Sequence, residues 1–176
     1  MFQKLKNKMK DQRGLTLIEL LAVIVILAII AAIAIPSIMG LIDNSKKDAH
    51  VANAQQMINS AKIAVTADKS LMPAVGKEVK VNLSYLEEKG YLETVKDPDG
   101  TTTSYLKPTA VATGVTADHK DATDSYVIIK NNSNKLEYSV RLYSEEDKGG
   151  KDRGVQKATD GQPVPEHELS RNSIIK

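Results

Sequence analysis

Arg13-Gly14-Leu15-Thr16-Leu17-Ile18-Glu19-Leu20-Leu21 opens an apolar run that continues to Ile42, and this stretch decides the fold. Between Leu15 and Ile35 only Thr16 and Glu19 are polar, and from Leu20 to Ile42 there is no charge. As a helix rising 1.5 Å per residue, those uncharged residues reach about 34 Å, enough to cross a hydrocarbon core of about 30 Å. A lone strand there would leave its backbone groups unpaired in lipid, so a helix is expected. Pro36 removes one backbone donor and crowds the preceding turn, and Gly40 follows within a turn. A kink or loosened segment is therefore expected around Ala32 to Pro36.

Charge is placed unevenly around this run. Of 24 basic and 22 acidic side chains, Lys4, Lys6, Lys8, Lys10, Arg13 and Asp11 lie in residues 1–14, which leaves the remainder slightly acidic. A basic block on the N-terminal flank predicts a cytoplasmic N-terminus and a head outside the cell. It also removes the reading of the whole chain as a basic nucleic-acid binder. The absence of cysteine excludes disulfides, thiolate metal sites and a thiol nucleophile.

Glu19 is the odd residue. An ionised carboxylate at membrane depth costs several kcal/mol, roughly, unless it is paired. It must take up a proton or find a cation. The nearest lasting cation in the chain would be a new α-amine, made by a cut before Leu15. Gly14, lacking a side chain, lets the backbone there enter a tight protease site.

Downstream, Val51, Ala54, Met57, Ile58, Ala61, Ala64 and Val65 follow the spacing of one helical face, and Pro73 and Gly76 are stop signals. One helix of about 55 residues is expected, apolar all round at first and amphipathic later. Val79, Val81 and Leu83 alternate with polar residues as in a strand. Ser84-Tyr85-Leu86-Glu87 reads as a capping box opening a short helix that Gly90 closes. Asp97-Pro98-Asp99-Gly100 reads as a turn. Ser125–Lys130 and Leu136–Tyr143 read as a β-hairpin around a loop at 131–134, with Leu136, Tyr138, Val140 and Leu142 on one face.

The expected class is α+β: a long N-terminal helix, membrane-spanning in its first half, packed on a small antiparallel sheet. The divisions are a basic leader at 1–14, a membrane-spanning helix at 15–42, an amphipathic half at 43–72, a globular head at 73–143 and a tail at 144–176. The tail is rich in charge, Gly and Pro and is expected to be a long loop or disordered, with Ile174-Ile175 a candidate terminal strand.

The first 40 residues resemble the type IV pilins and the pseudopilins of secretion and competence systems. That signature is a short basic leader ending in Gly, a hydrophobic first mature residue, a Glu as the fifth, and about twenty apolar residues. Here Gly14 ends the leader, Leu15 stands first in place of the commoner Phe, and Glu19 stands fifth. Pro36 falls at the family's usual first proline. The resemblance implies the pilin fold and cleavage between Gly14 and Leu15 by a prepilin peptidase that commonly also methylates the new amine of Leu15. It implies an assembly role for Glu19 and Thr16, with Glu19 bonding a neighbour's N-terminus. Its implied partners are further copies of the chain, the peptidase, an assembly ATPase with a membrane platform protein, and the cell membrane. Nucleic acid is left open as a partner of the finished filament. The lack of the C-terminal disulfide loop that many Gram-negative pilins carry points to a Gram-positive source.

The expected product is a structural subunit of a type IV pilus-like extracellular filament. The alternatives are a pseudopilin of a type II secretion or competence system, or a single-pass anchor for a binding module. An ordinary signal peptide cut after Ala32-Ile33-Ala34 conflicts with the length of the core and with Glu19. No catalytic triad, phosphate loop or paired-carboxylate cleft is evident, so an enzyme is not expected, nor a cofactor. His50, His119 and His167 are expected at the solvated surface. His167-Glu168 does not extend to a metal-binding H-E-x-x-H, because Arg171 holds the second position. Asp97 with Asp99, or Asp118, Asp121 and Asp124, match no defined calcium loop and are expected as turns and solvated loops.

Overall fold

The computed structural model describes residues 16–99, 105–107, 113–114, 124–133, 135–144, 153–157 and 161–175. It divides into two compact units, residues 1–43 and 44–176. A single helix, α1 (Leu17–Ala67), begins in the first and ends in the second, and it continues through Pro36 and Gly40. The expected cut and methylation at Gly14 and Leu15 lie outside the described residues.

Within the first unit every large apolar side chain from Leu17 to Ile42 is exposed, from 49% at Val23 to 83% at Leu17. This segment has no core of its own. The second unit has one, and the part of α1 that belongs to it supplies a wall. Ala54, Met57, Ile58, Ala61, Ala64 and Val65 are all buried, as the 3.6-residue spacing predicts. Small residues on this face let the helix approach the sheet closely.

Among the described residues β1 (Glu78–Asn82), β2 (Thr113–Gly114), β3 (Tyr126–Asn132), β4 (Lys135–Arg141) and β6 (Val164–Pro165) form one antiparallel sheet. Its strand order is β2-β1-β3-β4-β6. The β3–β4 hairpin pairs Tyr126 with Arg141 and Asn132 with Lys135. Ser133 at φ 51° takes the left-handed conformation that such a tight connection demands. Val127, Ile129, Val140 and Leu142 join Val79, Val81, Leu71 and the helix face in one core. The side chain of Asn131 donates to the carbonyl of Pro73 at 2.9 Å, fixing the chain that leads from the helix into β1.

Two local expectations need correction. The short helix α2 (Leu83–Glu88) does follow β1, but Ser84 does not open it. The Leu83 N–H is already taken by the carbonyl of Ser125 at 2.9 Å, so the helix starts directly off the strand. Glu87 turns away and accepts from the Val95 N–H at 3.2 Å and from Lys107. Gly90 closes the segment at φ 72°, as read from the sequence.

The described residues of the tail are also better ordered than its composition suggests. Beside β6 it forms β5 (Gly154–Val155) and β7 (Ile174–Ile175), which pair antiparallel. A bridge joins Val155 to Leu142. The tail is held to α1 by charge: Glu166 accepts from Lys62 at 2.6 Å and from Gln55 at 3.0 Å, and Arg171 grips the carboxylate of Asp48 with two bonds. These partners are far apart in sequence, so periodicity within the tail carried no sign of them.

Candidate functional site

The helix start is built by Thr16 and Glu19. The hydroxyl of Thr16 accepts the Glu19 N–H at 3.3 Å, and the Glu19 carboxylate accepts the Thr16 N–H at 2.8 Å. This reciprocal pair is a capping box. It satisfies two of the backbone donors that a helix start leaves orphaned. Thr16-x-x-Glu19 has the spacing of that motif, a signal hidden in the sequence by the more conspicuous problem of a charge beside an apolar run. The structure thus places both predicted assembly residues on the same turn.

Beyond this turn the chain presents the exposed apolar surface of Leu17 to Ile42. A soluble monomer rarely carries a contiguous apolar patch beyond a few hundred Å², roughly. Only lipid or other apolar helices can cover a surface that runs all round a helix. It is the one described helix long and apolar enough to cross a membrane.

A second constellation lies in the head, where none was expected. His50 is fully buried on α1, a correction to its expected place at the surface. Its Nδ1 lies 2.7 Å from the Tyr105 hydroxyl, and its Nε2 lies 3.0 Å from Asp99 and 3.7 Å from Asp97. Asp97 is buried rather than solvated, and its carboxylate accepts the Asp99 N–H at 2.9 Å, so the described part of the predicted turn, Asp97 to Asp99, folds inward. Lys46 stands 3.2 Å and Arg153 3.6 Å from Asp99, and Ser144 donates to Asp97. Burial pushes the pKa of Asp99 up, but hydrogen bonds from His50 and Lys46 and the charge of Arg153 outweigh it and hold the group below its ordinary value. Burial pushes Tyr105 well above the usual phenol range, so it stays protonated.

His50, Asp97 and Asp99 are the only described trio of side chains spaced to share a metal ion. Two protein cations and a hydroxyl already stand against those carboxylates, so the cluster balances its charge without an ion. Of the other acids weighed for calcium, Asp118 and Asp121 lie outside the described residues, and Asp124 stands 3.6 Å from Lys80. His119 also lies outside them, while His167 is exposed as expected.

Residues 9–35 match the family model described as the prokaryotic N-terminal methylation motif, the type IV pilin and prepilin signature. No curated protein and no solved structure matches the chain.

Proposed function

We propose that this chain, whose residues 9–35 carry the prokaryotic N-terminal methylation motif, is a structural subunit of a type IV pilus-like extracellular filament. The motif supports a type IV pilin-like or pseudopilin protein, and it implies processing by prepilin peptidase and polymerisation. With the apolar helix it fits a membrane-anchored precursor. The observation that carries the reading is that this motif runs directly into a helix whose large apolar side chains from Leu17 to Ile42 are all exposed.

The mechanism follows from charge and area. The basic leader keeps the N-terminus inside, and the apolar part of α1 parks the precursor in the membrane. Cleavage after Gly14 removes the basic cluster, which could not enter a filament core, and leaves the amine of Leu15, a site for methylation. That amine is the cation Glu19 lacks, on its own chain or on a neighbour's. In a low-dielectric core such a pair is strong and demanding of geometry, so it sets the register between copies. Packing of α1 against equivalent helices buries apolar surface at about 25 cal/mol per Å², less the cost of association. Pro36 and Gly40 weaken the helix where it must bend. The head, for which we propose no catalysis, faces water, and the subunit works with an assembly ATPase and platform protein in a Gram-positive envelope.

The test is intact mass and N-terminal sequencing of the chain recovered from cells that also make their own prepilin peptidase. A start at Leu15, with or without a methyl group, is expected. A start at Met1 would instead favour a plain anchor. Shearing then separates a pilus subunit, abundant in the sheared fibres, from a secretion or competence pseudopilin, which stays in the envelope.

A further inference from the structure

We draw no further inference here: the strongest candidate, the exposed and uncharged face that α1 presents in the head through Ala52, Gln56, Asn59, Ile63, Thr66 and Ala67, carries nothing beyond the helix packing already proposed, because nothing in the structure shows what covers it.

Discussion

Thr16 and Glu19 cap the helix that each of them begins: one hydroxyl and one carboxylate exchange backbone N–H groups at 3.3 and 2.8 Å. Glu19 therefore has two duties that can be separated. One is local, starting the helix cleanly. The other is proposed, offering a negative charge to an amine. Glu19→Gln keeps an oxygen that can accept the Thr16 N–H but removes the charge, while Glu19→Ala removes both. Both variants are expected to be trimmed normally and to yield few or no sheared fibres. Thr16→Val should lose about 1 kcal/mol of capping yet still assemble, because the charge remains. Fibres from Glu19→Gln at wild-type yield would assign assembly to the cap alone.

Gly14→Val places a branched side chain where the peptidase must close around the backbone. The expected product is a full-length precursor that stays in the membrane, seen as an intact mass beginning at Met1. Normal trimming of this variant would remove the peptidase from the mechanism.

On α1 the buried and exposed faces predict opposite responses. Met57 is fully buried and Ile63 is 58% exposed. Met57→Ala should destabilise the head by about 2–5 kcal/mol in denaturant unfolding. Ile63→Ala should fall within about 0.5 kcal/mol of wild type. A large loss at Ile63 in the dissociated subunit would mean that the face assignment is wrong.

Gly154 sits where its strand crosses the end of β4. A Cβ there would come 2.5 Å from the carbonyl oxygen of Leu142, closer than a contact between such atoms allows. Gly154→Ala is expected to break the Leu142–Val155 bridge and loosen the β5–β7 pair, raising exchange at Val155 more than at Val127. Unchanged protection at Val155 would show that the backbone shifts at little cost.

The ion pair between Arg171 and Asp48 carries a pH prediction. A hydrogen bond from Arg171 holds the Asp48 carboxyl below its ordinary value. Its contribution is present above the usual carboxylate range and is lost as pH falls through the lowered value. Both groups are exposed to solvent, so the contribution is small and salt-sensitive. Exchange at Ile174, corrected for its intrinsic pH dependence, should rise on acidification and with added salt, and Arg171→Ala should show neither response.

The parts of this fold that could be read in the sequence are those with a local period or a local stop. The face Ala54–Val65 announces itself every three or four residues, and the β3–β4 hairpin by alternation on either side of a tight connection. Ser84 misled because the capping spacing is only a local condition, and the Leu83 N–H had a distant partner in Ser125. His50 was misread for a related reason. A histidine among polar neighbours gives no hint that an aspartate turn and an arginine 103 residues away will enclose it. Likewise, nothing in residues 164–175 announces Lys62, Gln55 or Asp48 as partners. What the sequence conceals here is long-range pairing of polar groups, which has no period.

The bond between Arg171 and Asp48 spans 123 positions of the chain. During synthesis the apolar stretch leaves the ribosome early and can enter the membrane at once, while Asp48, Gln55 and Lys62 wait for partners made last. In the proposed membrane-anchored precursor the head would thus be tethered before it is finished, and its closing steps would take place on a chain already anchored.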